Sequence, residues 1–183
     1  MNYIASYASP FGELTIIINE TDLLNLCMDG QRYFADIDTM TPISAQAQSD
    51  EPPILTQTRR WLDRYFAGEK PTPDELNLKP VGSPFRQLIW RFLCEIPYGE
   101  TVTYGDLAKK AADLMGKKKM SAQAVGGAVG HNPISIIIPC HRVIGAGGNL
   151  TGFGGGIHKK IQLLTFEGVD MTPLFIPKKG TAL

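Results

Sequence analysis

"TVTYGDLAKKAADLMGKKKMSAQAVGGAVGHNP", residues 101–133, decides how this chain is read. Thr103 stands where a helix N-cap belongs, and Asp106 follows three residues later, close to a capping box. "GKKKM" breaks that helix. "SAQAVGGAVGHNP" then forms a short second helix of very small residues, stopped by Asn132 and Pro133. Helix, short connection, helix is the helix-turn-helix arrangement, whose second member usually lies in a DNA groove. That helix offers Ser121, Ala122, Ala124, Gly126, Gly127 and Ala128. Side chains this small let a backbone approach another surface closely, either a neighbouring helix or the floor of a groove. A helix that reads base edges wants several Arg, Asn or Gln, and Gln123 is the one such residue here. The expected contact is close and largely blind to sequence, in the minor groove. Lys117, Lys118 and Lys119 precede the helix and could reach phosphates; a solvated lysine run is the plainer alternative.

Immediately downstream, "IIIPCHRVIGAGG" begins at Ile136. It reads as an apolar strand that stops at Pro139 and delivers Cys140, His141 and Arg142 without a gap. The plain reading is a core cysteine with coincidental neighbours, since free cysteine behaves as a small buried hydrophobe. The chemical reading is a nucleophile, because a thiolate needs a base and a fixed carboxylate behind it. His141 is the nearest imidazole. Adjacent residues of an extended chain point apart, so contact requires a turn or a bridging water. Glu167 is the one acid in residues 114–169 and ends the helical stretch "IHKKIQLLTFEGV". It can hold His141 if that helix packs on the cysteine loop. Asn132 is a turn former whose amide can tie the loop to the backbone.

Working outward, residues 1–80 carry 6 Lys+Arg and 12 Asp+Glu, while residues 81–183 carry 12 and 6. The zero net charge therefore hides an acidic half and a basic half. The basic half is expected to meet a polyanion, or the halves attract each other. In the acidic half, "YIASYAS", "ELTIIIN" and "LLNLCMD" read as strands, and residues 36–53 as loop. "ILTQTRRWLDRYFAG" reads as an amphipathic helix stopped at Gly68, and "GEKPTPDELNLKPVGSP" as a linker. "PFRQLIWRFLCEI" then opens the basic half as a helix with Cys94 on a buried face. The expected class is α+β. A small N-terminal antiparallel sheet domain with a helix occupies residues 1–80. A mainly helical C-terminal domain with the helix-turn-helix occupies residues 81–183.

Three dispersed cysteines, Cys27, Cys94 and Cys140, without C-x-x-C spacing argue against a disulfide framework or thiolate zinc site. A reducing cytoplasm fits them. No leader or apolar run long enough for a membrane span is evident.

These residues carry a resemblance. "NPISIIIPCHRVIGAGGNLTGFGGG", followed by a helix ending in "FEG", resembles the active-site signature of the O6-alkylguanine-DNA alkyltransferases, the methylated-DNA–protein-cysteine methyltransferases. The P-C-H-R-V core is highly specific. "YGETVTYGDLA" and "AVGGAVGHNP" match in the same order, over about residues 84–169.

The resemblance implies a fold, a partner and a set of roles. Cys140 is the alkyl acceptor, His141 the base acting through water, and Glu167 the residue orienting His141. Asn132 is the hinge between recognition helix and cysteine loop, and Tyr104 helps turn the nucleotide out and donates a proton. Ser121, Ala122, Gln123, Ala124, Gly126 and Arg142 form the DNA-binding set, Arg142 also holding the loop. Val143 and residues 152–156, with Phe153, Gly154 and Gly155, line the pocket. The partner is alkylated double-stranded DNA, met by a monomer away from membranes. No metal or cofactor is implied, and the thioether product makes each molecule react once. Two departures stand out. Gln123 replaces an arginine whose side chain fills the gap left by the flipped base, so weaker DNA affinity is expected. Phe153 replaces a tyrosine. "KKAADLMGKKKMS" is also a few residues longer than usual. The readings of another class are a lesion-recognition, alkyltransferase-like protein with slow or no transfer, and a cysteine hydrolase.

Overall fold

The computed structural model describes residues 1–31, 41–42 and 51–177. The chain forms two compact units. One holds Met1–Val81 together with Pro133–Ile137, and the other holds residues 82–132 and those from 138 onward.

In the first unit, β1 (Tyr3–Ser9), β2 (Gly12–Ile18) and β3 (Leu23–Met28) pair antiparallel in the order β3-β2-β1. All three are legible in the sequence as alternating or β-branched runs. The buried side chains of β2 and β3, among them Leu14, Ile16, Ile18, Leu23 and Leu26, supply the core face. Helix α1 (Pro53–Phe66) adds Ile54, Leu55, Trp61, Leu62 and Tyr65 to the same core, each full burial contributing about 1.5–3 kcal/mol. Gly68 ends that turn at φ +82°, where a side chain would be strained.

Two expectations change. The stretch read as loop contains β4 (Thr41–Pro42), a two-residue strand parallel to β1; residues 36–40 and 43–50 lie outside the described residues. The segment read as a linker is anchored. Thr72 and Glu75 cap a 3-10 turn at Pro73–Glu75, and the backbone of Leu23 bonds to Asn77 (2.8 Å) and Lys79 (2.9 Å).

Residues 133–137 belong to this first unit although the division expected from sequence puts them in the second half. Leu26 N donates to Pro133 O (2.9 Å) and Ser135 N to Leu26 O (2.8 Å), so the segment pairs with β3. The Ser135 hydroxyl donates to Gln31 Oε1 (2.9 Å), which also accepts from Met28 N (3.1 Å). The apolar run at 136–138 is consequently a turn, not a strand. Ile136 sits at φ +70°, a left-handed conformation that is an outlier for a β-branched residue.

In the second unit, α2 (Pro84–Cys94), α3 (Tyr104–Leu114), α4 (Ala122–Gly130) and α5 (Ile157–Phe166) surround a two-stranded parallel pair, β5 (Val102–Thr103) with β6 (Val143–Ile144). The capping box forms as read. Asp106 N donates to Thr103 Oγ1 (3.0 Å), and Asp106 Oδ2 accepts from Thr103 N (2.9 Å). Ser121 caps α4 by accepting from Gln123 N and Ala124 N. Trp90 of α2, buried, donates its indole N–H to Ala128 O (2.8 Å) and holds α2 against α4. Cys94 is half-buried rather than fully enclosed.

Candidate active site

Residues Cys140–Arg142 form a single 3-10 turn. Pro139 has no N–H to donate, and the turn closes around it. Cys140 N bonds to Ile138 O (2.8 Å) and Arg142 N to Pro139 O (3.1 Å). Asn132, buried at the end of α4, donates its amide to Ile138 O (2.7 Å) and so fixes the loop two residues before the thiol. The turn removes the extended geometry that would separate neighbouring side chains. Cys140 is 5% exposed and His141 fully buried.

His141 Nε2 lies 2.7 Å from Glu167 Oε1. An ionised carboxylate only accepts, so Nε2 carries the proton and Nδ1 keeps its lone pair. Nδ1 is buried and has no hydrogen-bond partner among the described residues, which leaves it as a proton acceptor. Burial lowers the imidazole pKa against the opposing pull of Glu167, so the ring rests neutral. Burial alone would raise Glu167. The hydrogen bonds from His141 and Arg142, with the guanidinium charge, hold it well below the carboxylate range instead. Arg142 makes the fork-on-fork pair, Nε to Oε2 (2.8 Å) and Nη2 to Oε1 (2.9 Å), and its Nη1 donates to Ile96 O (2.6 Å). Glu167 is thus a fixed anion between an imidazole and a guanidinium.

Lys160 is a further buried cation, with no exposed surface. Its ammonium donates to Val143 O (2.5 Å) and Thr151 O (2.8 Å), tying α5 to the strand after the cysteine turn and to the loop beyond. Burial pushes its pKa down to about 8, and the negative charge of a Cys140 thiolate nearby pushes it back up. The Tyr104 hydroxyl donates toward Gly152 O (2.9 Å) and Thr151 O (3.2 Å). Its pKa is raised, by burial first and then by Cys140, so it holds its proton. Gly152 makes this approach possible: it sits at φ +70°, and a Cβ there would meet the Tyr104 oxygen at 2.5 Å. Beside Tyr104 opens a cavity of about 420 Å³ walled by small residues, including Gly126 and Gly130 of α4 and Gly145, Ala146 and Gly152 of the loop.

The structure brings Cys140, His141, Glu167, Asn132 and Tyr104 into one region of the second unit. Gln123 and Ala122 border the cavity with Gly126, and Ser121, Ala122, Gln123 and Ala124 are exposed. One expectation needs correction. Arg142 is buried and committed to Glu167, so it presents no guanidinium to DNA. Val143 is fully buried and pairs with Val102 in β5–β6. On the loop side, Gly145, Ala146, Thr151 and Gly152 wall this cavity. Sequence reasoning missed Lys160. The signal is present: Lys160, Leu163, Leu164 and Glu167 recur at helical spacing on one buried face.

The chain matches the domain family described as "6-O-methylguanine DNA methyltransferase, DNA binding domain" over residues 84–169, and "6-O-methylguanine DNA methyltransferase, ribonuclease-like domain" over residues 2–80. It is 40% identical to the methylated-DNA–protein-cysteine methyltransferase of Haemophilus influenzae over 91% of this chain and 87% of that protein. It is 45% identical to the protein of the same name from Mycobacterium bovis, over 87% and 88%. Among solved structures, Mycobacterium tuberculosis OGT in complex with DNA superposes with a TM-score of 0.76 at 42% identity, covering 91% of this chain and 93% of that one.

Proposed function

Because the chain belongs to the 6-O-methylguanine DNA methyltransferase family, we propose that it repairs duplex DNA by moving the alkyl group of O6-alkylguanine onto its own Cys140. The observation that carries the mechanism is the buried His141–Glu167–Arg142 cluster, whose His141 and Arg142 directly follow Cys140 in the same 3-10 turn and which leaves Nδ1 of His141 as acceptor. The target base must leave the stack to be attacked, and the small-walled cavity between α3, α4 and the 145–152 loop offers it room.

The thiol proton passes through a water to His141 Nδ1. The Cys140 sulfur attacks the alkyl carbon in line, the S–C bond forms as the C–O6 bond breaks, and Tyr104 gives its own proton to the departing guanine. Solvent then takes the proton from His141 and restores the one on Tyr104. The thioether is a very poor leaving group, so the protein reacts once. Burial pushes Cys27 up to about 12 and Cys94 up to about 11, which leaves neither as a competing nucleophile at neutral pH. Residues 81–183 carry DNA binding and alkyl transfer in this reading, and residues 1–80 support them, in a cytoplasmic monomer. The lesion-binding alternative without transfer is not favoured, since Cys140 stands in the acceptor position with a base behind it.

Intact-protein mass after incubation with an O6-methylguanine duplex tests the reading. A gain of one methyl group per protein, mapped to Cys140, is expected; repeated turnover, or methylation elsewhere, would sink it. A second expectation concerns the recognition helix. Gln123→Arg should tighten binding to undamaged duplex and steepen the slope of log affinity against log salt by about 0.9, the value for one additional neutralised phosphate. Fluorescence anisotropy across a salt series reads both.

A further inference from the structure

We propose that Lys117, Lys118 and Lys119 form a clamp on the phosphates of duplex DNA, supplying the positive charge that α4 lacks. The inference rests on the duplex-binding reading above. Helix α4 contains no charged residue over its whole length, so its exposed first turn can enter a groove but brings no charged side chain to a phosphate. Beside that turn lies an open groove of about 750 Å³, bordered by Lys109 and Asp113 of α3, Lys118 and Lys119 of the connection, and Gln123 of α4. Gln123 also borders the small-walled cavity. The lysines therefore flank the same helix face that the flipped nucleotide must pass.

The charge surplus of residues 81–183 is unevenly available. Arg142 and Lys160 are buried, and Lys110 is ion-paired to Glu95. Lys117, Lys118 and Lys119 are exposed, and no salt bridge engages them among the described residues. Asp113 is the one acid on the groove, against Lys109, Lys118 and Lys119. The connection is also held at both ends. Lys117 N donates to Ala112 O (2.9 Å) at the end of α3, and Ser121 caps the start of α4. A short basic loop fixed at both ends gives up less freedom on meeting a phosphate backbone than a free tail.

The test uses the full chain and a short undamaged DNA duplex in fluorescence anisotropy at a series of salt concentrations. Replacing Lys117, Lys118 and Lys119 together by alanine should flatten the slope of log affinity against log salt by about 2–3, since each phosphate no longer neutralised removes about 0.9. The triple arginine replacement should keep the wild-type slope. Unchanged thermal unfolding shows that the variants are folded. A triple alanine slope equal to wild type overturns the clamp. Methyl uptake by the unaltered protein is scored separately: its failure counts against alkyl transfer, whereas a flattened slope upholds the clamp on its own.

Discussion

Cys140→Ser should take up no methyl group from an O6-methylguanine duplex, with transfer reduced on the order of 10⁴-fold or more, the scale seen when a nucleophile is removed. The change exchanges a sulfur for an oxygen of similar shape in a site 5% exposed. Asn132, Tyr104 and Lys160 hold the surrounding segments through hydrogen bonds to backbone carbonyls, which the substitution leaves in place. The scaffold should therefore survive, and with it affinity for the damaged duplex. Single-turnover transfer read by mass, alongside anisotropy on the same DNA, separates the two. Transfer that persists at wild-type rate in Cys140→Ser would remove Cys140 as acceptor.

The second large effect falls on Glu167. Glu167→Gln removes the anion that Arg142 and His141 share while leaving both buried. Breaking one partner out of a buried pair costs about 3–5 kcal/mol, because the guanidinium keeps its charge without its counterion. Denaturant unfolding should show that loss. Transfer at saturating DNA should slow in the same variant, since an amide donates as well as accepts and no longer fixes the tautomer of His141. The pH dependence carries a sign. The folded pKa of Glu167 is depressed below its ordinary 4.5. The stabilisation it contributes is therefore complete above that value and shrinks as pH falls through 4.5 toward the depressed pKa. Wild type should lose stability across that acid range more steeply than Glu167→Gln. Equal pH dependence in the two proteins would contradict the buried-anion account.

How much of this is legible in the residues varies with the range of the interaction. The capping box at Thr103 and Asp106, the three strands and the stop at Gly68 are local, and short spacing reveals them. Cys140, His141 and Glu167 are legible as chemistry because few other residues in that half could fill the roles. Arg142 is legible only as a charge. Its burial follows from a carboxylate 25 residues away, which no local pattern discloses. The strand read at 136–138 fails for a related reason. Its β-branched run obeys strand preference, but the pairing of residues 133–137 with β3 and the tie from Asn132 to Ile138 override it.

The return of residues 133–137 to strand β3 has a consequence for biosynthesis. The hairpin of β2 and β3 is synthesised well before Pro133, Ile134 and Ser135, yet its outer edge at Leu26 waits for them to emerge from the ribosome. Contacts so distant along the chain are slow to form and leave an unpaired edge exposed meanwhile. Acquisition of the reactive loop should accordingly be a late event in maturation, completed only once the nascent chain has doubled back on that hairpin.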